Sequence, residues 1–209
     1  MLPGSTEPEY GFDMPEKPTL VVVDVQKAWD DPVWGNRNNP GAEGNVARLL
    51  AAWRAADAPV IHVRHRETDP EWHWFNEGDP GFEFKPEAMP LADEPVLTKG
   101  VNSAFIGTDL EERLRAAGAT TVVIAALLTD HCGSTTARMS GNLGFETWFV
   151  GDACATFDRE GPDGEVFPAD LIHRTSLASL HREFADVVST DEAIARLGWA
   201  SDRQTKGAS

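Results

Sequence analysis

The chain has 209 residues, of which 34 are acidic and 18 basic, and its formal net charge is −16. A balance this acidic argues against a protein that binds nucleic acid or anionic lipid through basic patches. The two cysteines are too few for a disulfide framework. No apolar stretch is long enough to span a bilayer, and no secretory signal is recognisable. These features predict a cytoplasmic protein without nucleic acid or membrane partners.

Residues 1–18 are rich in Pro, Glu and Gly, which predicts a flexible arm ahead of the first strand. The run TLVVVDVQ at 19–26 is mostly β-branched, as is typical of a strand buried on both faces of a parallel sheet. Further strands are predicted within residues 59–66, 94–100, 120–128, 145–157 and 186–190. Helices are predicted within residues 45–58, 108–119, 134–144, 168–185 and 191–198.

Strands that alternate with helices form βαβ units and hence a parallel sheet. The sequence therefore predicts one α/β domain over residues 19–199. We expect a three-layer doubly wound sheet of six mostly parallel strands, with helices on both faces. The polar residues 200–209 are predicted to form a frayed tail. Because a doubly wound sheet binds its ligand at the carboxyl ends of the strands, site residues are expected there.

Three chemically useful side chains lie at predicted strand ends. Asp24 ends the first strand, Lys99 ends the third, and Cys132 follows the fourth at the start of a helix. A helix N-terminus and a nearby ammonium both lower the pKa of a thiol, which favours the nucleophilic thiolate. A carboxylate can take the thiol proton and return it to a leaving amine, while backbone N–H groups hold an oxyanion. The pattern favours acyl transfer through a thioester.

Each of these residues also has a purely structural interpretation. A free cysteine is more often a small buried apolar residue than a nucleophile, and Cys154 is predicted to be such a core residue. Asp24 alone is compatible with a strand-end cap, and Lys99 alone with a solvated charge. Spacing and composition leave both interpretations open.

Three segments resemble the signature segments of the isochorismatase-like cysteine hydrolases. They are VVVDVQ at 21–26, TKGVNSAFIGTDLEERLRAAG at 98–118 and LLTDHCGSTTARMSGNLGF at 127–145. That superfamily includes nicotinamidases, N-carbamoylsarcosine amidases, ureidoacrylate amidohydrolases and isochorismatases. The resemblance extends over residues 19–197 and implies a sheet with the strand order 3-2-1-4-5-6.

The resemblance also implies a set of site residues. They form a triad of Asp24 as acid and base, Lys99, and Cys132 as the nucleophile. A non-proline cis peptide is implied between Leu127 and Leu128, and the backbone N–H groups of Leu128 and Cys132 are implied as the oxyanion hole. Since relatives are usually dimers or tetramers, a homodimer or homotetramer is expected.

The sequence departs from the family pattern at two positions, Ala126, where many relatives have Gly, and Gly133, where a larger residue is common. Gly133 is expected to widen the pocket floor or to loosen the helix start. The nicotinamidase branch holds a metal with an Asp-x-His pair and a later His, and no such pair is found here. We expect His62, His65 and His73 to serve packing or substrate hydrogen bonds, so no metal or other cofactor is predicted.

Substrate choice is expected to come from the loops at the strand ends. Aromatic walls with a few polar groups are typical of small-molecule sites, and the long segment 67–90 is rich in aromatic residues. Those residues either line the pocket or form an oligomer interface. Arg37 and Arg64 are candidates to hold a carboxylate or carbonyl. The predicted substrate-binding residues are Gln26, Trp34, Arg37, Arg64, His65, Trp72 and Phe82.

The leading functional interpretation is a cysteine hydrolase that cleaves a non-peptide C–N bond in a small amide, lactam, carbamoyl or ureido compound. The acidic balance is also compatible with steering of a cationic amide. One alternative is vinyl ether hydrolysis of the isochorismatase type, which needs the Asp24 acid but no thiol. An alternative of another class is a non-catalytic binding or assembly protein on the same scaffold.

Overall fold

The structure is a computed structural model that describes residues 17–67 and 69–207. The predicted arm over residues 1–18 therefore lies outside the described residues, apart from its last two. Those two residues are hydrogen-bonded to the end of the first helix.

The described residues contain one sheet of six parallel strands and one short antiparallel hairpin. The strands are β1 Thr19–Val23, β2 Val60–His65, β3 Val96–Lys99, β4 Thr121–Ala126, β5 Glu146–Val150, β6 Arg159–Glu160, β7 Val166–Phe167 and β8 Asp186–Val188. The sheet order is β3-β2-β1-β4-β5-β8, which confirms the predicted order. The sixth strand of the sheet is β8 because the hairpin β6–β7 precedes it. The sequence did not predict this hairpin, since two-residue strands are too short to show a periodic pattern.

Each predicted helix is present in the described residues, with its ends shifted by at most five positions, except that the last helix ends nine residues later than predicted. The helices are α1 Ala42–Ala55, α2 Leu110–Ala116, α3 Ser134–Asn142, α4 Ala169–Leu180 and α5 Thr190–Gly207. The last helix runs to Gly207, and residues 208–209 of the predicted frayed tail over residues 200–209 lie outside the described residues, so that tail stays a prediction. Within residues 17–67 and 69–207, no helix has both the length and the apolar character needed to cross a membrane.

The two faces of the sheet have separate cores, as the three-layer prediction requires. Successive side chains of β1 point to opposite faces. Leu20 and Val22 pack with α1 and α5, whereas Val21 and Val23 pack with α2, α3 and α4. All four side chains are fully buried, which explains the unbroken apolar run of this strand.

An aromatic segment, defined as residues 69–90, crosses the carboxyl edge of the sheet between β2 and β3. It contains three short 3₁₀ turns, each of which begins at a proline, at Pro70–Phe75, Pro80–Phe82 and Pro86–Ala88. Its rings pack against the first loop of the chain, since Trp29 contacts Phe75 at a centroid distance of 4.9 Å. These contacts place the segment beside the end of β1.

Candidate active site

The structure brings Asp24, Lys99 and Cys132 together, as their strand-end positions predict. Asp24 follows β1, Lys99 is the last residue of β3, and Cys132 lies in a turn after β4. The Lys99 Nζ atom lies 2.5 Å from Asp24 Oδ2 and 3.3 Å from Cys132 Sγ. All three residues are buried, and Cys132 keeps 9% of its surface exposed. A carboxylate, an ammonium and a thiol therefore meet at the edge of the sheet.

Asp24 has an unusual backbone conformation. Its φ of 56° lies in the left-handed region, which residues other than glycine seldom occupy. The backbone is held there because its N–H donates to the Val63 carbonyl at 2.8 Å, and its own carbonyl accepts from the Trp29 indole at 2.8 Å. Strain of this kind clusters at functional sites. Among the described residues, the buried Asp24 Oδ1 atom has no hydrogen-bond partner.

The charges of this cluster differ from the predicted pattern at Cys132. Burial raises the pKa of the Cys132 thiol, and the Asp24 carboxylate raises it further, which together outweigh the lowering by Lys99. Burial alone lowers the pKa of Lys99, but Asp24 and Cys132 raise it more, so the ammonium stays charged. The prediction of a lowered thiol pKa is therefore wrong, because desolvation is the largest influence. Cys132 rests as a neutral thiol beside an Asp24–Lys99 ion pair.

Cys132 lies in a π-helical turn, Thr129–Gly133, which we call the nucleophile turn. Side chains from outside the turn hold its first two residues. The Thr129 hydroxyl is hydrogen-bonded to His173 Nδ1 of α4 at 2.8 Å, and Asp130 accepts from Arg159 Nε at 2.9 Å. Single π-helical turns are rare and are found mostly at functional sites.

Gly133 is tightly packed below the turn. A Cβ atom there would lie 3.0 Å from both the Ala126 Cβ and the Leu128 carbonyl oxygen, and 3.1 Å from the Phe149 ring. The space beside Gly133 is filled by these neighbours, so Gly133 does not widen the pocket floor, whereas a looser helix start stays a prediction. A side chain at this position would require β4, β5 or the turn to give way by a few tenths of an ångström.

The predicted cis peptide between Leu127 and Leu128 is present. Leu128 lines the cavity next to Cys132. The participation of the Leu128 and Cys132 N–H groups in an oxyanion hole stays a prediction.

A cavity of about 400 Å³ opens beside Asp24 and Cys132. One part of its wall is aromatic, and the indole N–H groups of Trp29 and Trp34 are turned away to backbone carbonyls, so these rings present apolar faces. The aromatic lining residues are Trp29, Trp34, Trp72 and Phe75. The polar lining residues other than Asp24 are His65, Glu67, Asn102, His131 and Arg159. An aromatic wall opposite a few polar groups suits a small molecule.

The structure places three predicted substrate-binding residues on this cavity, Trp34, His65 and Trp72. Part of the aromatic segment therefore lines the pocket. His65 is the most informative of the three, because its Nδ1 atom also lies 3.4 Å from Lys99 Nζ.

Gln26, Arg64 and Phe82, which were also predicted to bind substrate, are not among the residues that line this cavity. Both atoms of the Gln26 amide are hydrogen-bonded to the backbone of His65, and its nitrogen also donates to the Phe82 carbonyl. Arg64 lies over the Phe82 ring at 4.2 Å, on the other side of β2 from His65. The hydrogen bonds of Gln26 therefore join the end of β1 to β2 and to the aromatic segment.

Arg37 is also absent from this cavity. Its guanidinium forms two 2.7 Å hydrogen bonds with the Glu43 carboxylate, which also lies 2.8 Å from Lys85 Nζ. Although burial raises the pKa of Glu43, the hydrogen bonds from Arg37 and Lys85 lower it to about 2. Arg37 therefore has a structural role, since its charge is already neutralised by a bidentate partner.

Sequence reasoning missed Glu67, Asn102, His131 and Arg159. Asn102 lies three residues after Lys99, and His131 lies directly before Cys132, so closeness in sequence was an available signal for both. Arg159 had no such signal, because it belongs to the unpredicted hairpin.

The remaining histidine and cysteine predictions concern the interior. His62 is fully buried and its Nε2 atom lies 2.9 Å from the Glu94 carboxylate, which agrees with a packing role. In the described part of the chain, no group of three or more His, Cys, Asp or Glu residues is arranged to hold a metal ion. Cys154 is fully buried, as predicted, and accepts the Ala126 N–H at 3.3 Å.

Comparison with known proteins agrees with the resemblance seen in the sequence. Residues 18–192 match the model of the isochorismatase domain. An uncharacterised isochorismatase family protein of Bacillus subtilis, YrdC, is 47% identical over 181 residues, which cover 87% of this chain and 96% of YrdC. The crystal structure of an isochorismatase family protein from Chromobacterium violaceum has a TM-score of 0.84 and 45% identity, and the match covers 87% of this chain and 94% of that one.

More distant relatives include named enzymes. The maleamate amidohydrolase of Pseudomonas putida is 28% identical over 197 residues, which cover 87% of each chain. A cysteine hydrolase from Pseudomonas syringae pv. phaseolicola has a TM-score of 0.80 and 27% identity, with 89% of this chain and 94% of that chain covered. With the buried carboxylate, ammonium and thiol at the edge of its sheet, this chain belongs to the isochorismatase family and is a hydrolase.

Proposed function

We propose that this hydrolase cleaves a non-peptide C–N bond in a small amide, lactam, carbamoyl or ureido compound through a thioester on Cys132. The observation that carries the proposal is the Lys99 ammonium, which contacts Asp24 at 2.5 Å and Cys132 at 3.3 Å, two residues that line the cavity. A carboxylate, an ammonium and a thiol in contact supply a base, a positive charge and a nucleophile.

In the first half-reaction, the Cys132 thiol gives its proton to Asp24 as Sγ bonds to the substrate carbonyl carbon. Because burial favours the neutral thiol, proton loss accompanies attack and does not precede it. The tetrahedral intermediate then expels the nitrogen, which receives the proton from Asp24. The products of this half are an acyl thioester on Cys132 and an amine or ammonia; with a lactam the amine stays attached to the acyl group and leaves with the acid.

In the second half-reaction, Asp24 takes a proton from water as the water oxygen bonds to the thioester carbon. The C–S bond breaks, Asp24 returns its proton to sulfur, and the acid leaves. The Oδ1 atom of Asp24 suits both transfers because it is buried, has no partner among the described residues and belongs to a cavity-lining residue.

Lys99 remains protonated throughout and stabilises the negative charge as it moves between oxygen and sulfur. The N–H groups of Leu128 and Cys132 are the proposed donors to the carbonyl oxygen in the tetrahedral intermediate. The names of the amidohydrolase and cysteine hydrolase relatives support the C–N bond and the thiol, respectively.

The test is intact-protein mass spectrometry during incubation with a panel of small amides, lactams, carbamoyl compounds and ureido acids, with amine and ammonia release measured in parallel. We expect an acyl adduct on Cys132 and product release, both lost in Cys132→Ala. Cys154→Ala is the matched control and should keep both, because that thiol is in the core away from the cavity.

Asp24→Asn should prevent adduct formation while Cys132 remains present. Turnover by Cys132→Ala would contradict the thioester mechanism. Turnover of a vinyl ether by Cys132→Ala would instead favour vinyl ether hydrolysis, which needs the Asp24 acid but no thiol.

A further inference from the structure

The Lys99 ammonium has three protons to donate and three acceptors within reach. Two of the acceptors belong to the proposed triad, Asp24 Oδ2 at 2.5 Å and Cys132 Sγ at 3.3 Å. The third is the Nδ1 atom of His65, at 3.4 Å. The direction of the ammonium between carboxylate and thiol is therefore defined by three contacts, and one of them comes from outside the triad.

The His65 ring is held in place from several sides. His65 is the last residue of β2 and pairs in register with Lys99 on β3. Its backbone N–H donates to Gln26 Oε1 at 2.7 Å, and its carbonyl accepts from Gln26 Nε2 at 3.0 Å. The ring meets Phe75 edge-on, with 5.4 Å between centroids. The buried amide of Gln26 thus serves the site indirectly, because it fixes the strand end that carries His65.

The surroundings select one protonation form of this ring. Burial lowers the pKa of His65, the Lys99 charge lowers it further, and the Asp24 and Glu67 carboxylates oppose this only in part. The ring is therefore neutral at neutral pH. Since Nδ1 faces an ammonium, it acts as the acceptor, and the ring proton lies on Nε2. The Nε2 atom lies 3.8 Å from Glu67 Oε2, and both residues line the cavity.

We infer that His65 has two functions, and this inference depends on the hydrolysis proposed above. Through Nδ1 it positions the Lys99 ammonium between Asp24 and Cys132. Through Nε2–H it donates a hydrogen bond to an oxygen of the substrate other than the scissile carbonyl. The substrate is accordingly an amide-type compound that carries a second polar oxygen, such as a carbonyl, hydroxyl or carboxylate, close to the bond that is cleaved.

Three substitutions separate these two functions. His65→Asn places an amide oxygen near the Nδ1 position and keeps the acceptor, but it loses the Nε2–H donor. His65→Gln places an amide nitrogen near the Nε2 position and keeps the donor, but it loses the Nδ1 acceptor. His65→Leu has a similar volume and loses both. A thermal melt of each variant reports any general loss of folding.

The first measurement needs no substrate. Iodoacetamide alkylation of Cys132 is followed by intact mass and peptide mapping, with Cys132→Ala as the blank. Because Lys99 stabilises the thiolate, His65→Leu and His65→Gln should alkylate about tenfold more slowly than wild type at the same pH. His65→Asn should recover most of this rate. Equal or faster alkylation in His65→Leu would overturn the positioning function.

The second measurement uses a compound that the wild type hydrolyses. His65→Gln should lower kcat about 10- to 100-fold, whereas His65→Asn should recover most of kcat but raise KM about tenfold. If His65→Asn and His65→Leu change kcat and KM by equal amounts, the two functions are not separate and the inference is overturned. If the wild type forms no Cys132 adduct with the panel, the proposed function fails. The alkylation rates of the His65 variants still test whether His65 positions the Lys99 ammonium.

Discussion

The nucleophile turn and the aromatic segment both contribute to the cavity, but they are held in different ways. In the nucleophile turn, Thr129 and Cys132 are buried, and hydrogen bonds with His173 of α4 and from Arg159 hold the side chains of Thr129 and Asp130. In the aromatic segment, 3₁₀ turns begin at prolines, and Trp72 is 51% exposed and makes mainly ring contacts.

This difference matches two requirements: a precisely held thiol for the reaction, and a well-shaped apolar wall for the choice of substrate. A nucleophile must be held to within a fraction of an ångström, and a shift of about 1 Å can cost about 100-fold in rate. Buried hydrogen bonds provide that precision because they are directional. An apolar wall needs only shape and area, which ring packing provides at the surface. We therefore expect substitutions in the turn to lower kcat and stability, and substitutions in the segment to change KM.

The largest effect is expected from Gly133→Ala. The added Cβ would lie 3.0 Å from Ala126 Cβ and from the Leu128 carbonyl oxygen, so these neighbours or the turn that carries Cys132 must shift by a few tenths of an ångström. We expect about 100-fold lower kcat and about 3 kcal/mol lower stability, measured by steady-state kinetics and urea unfolding. Gly44→Ala in α1 is the matched control, because open space surrounds that position, and it should be neutral or stabilising. Normal kcat in Gly133→Ala would mean that the turn tolerates displacement.

The second prediction concerns Glu43, which contacts Lys85 near the end of the aromatic segment. Glu43 accepts hydrogen bonds from Arg37 and Lys85, and despite burial these lower its folded pKa from 4.5 to about 2. Its stabilising contribution is therefore complete above pH 4.5 and is lost as the pH falls towards 2. Glu43→Gln should cost about 2 kcal/mol at pH 7. The difference from wild type should shrink between pH 4.5 and 2 in urea unfolding at several pH values. A constant difference would contradict the assignment.

Thr129→Val tests the hydrogen bond between the nucleophile turn and α4. The substitution keeps the shape but leaves the buried His173 Nδ1 without its partner at 2.8 Å. We expect a loss of about 1–2 kcal/mol and a several-fold decrease in kcat. The control is Thr175→Val on the same helix, where the hydroxyl is bonded only to backbone carbonyls at the surface. If the two variants behave alike in unfolding and kinetics, the Thr129 contact does not position the nucleophile.

Trp72→Ala should have the smallest effect on folding and should act on the substrate alone. Because half of this ring is exposed, stability should change by less than about 0.5 kcal/mol. Loss of one cavity wall should raise KM several-fold and leave kcat nearly unchanged. Val166→Ala on the hairpin, another exposed apolar residue, should change neither constant. A large fall in kcat for Trp72→Ala would make the segment part of the catalytic machinery.

Much of the site was predictable because the carboxyl ends of parallel strands lie along one edge of the sheet. This rule brings Asp24 and Lys99 together although 75 residues separate them. The rule does not say which side of a strand a residue faces. Arg64 and His65 are neighbours on β2, yet only His65 reaches the cavity, because successive side chains point to opposite faces. Arg37 does not line the cavity either, because its guanidinium is paired with Glu43 of α1, a partner that the strand-end rule does not supply.

The sequence by itself determined the parallel sheet, its strand order and the identity of the three residues that meet at its edge. These features depend on local pattern and on the resemblance carried by short segments. Only the tertiary structure decided that Cys132 rests as a neutral thiol, because desolvation depends on every residue packed around it. It also decided that His65 contacts Lys99 while Gln26 and Arg37 are occupied elsewhere. Which polar groups remain available to a substrate depends on partners that are distant in sequence.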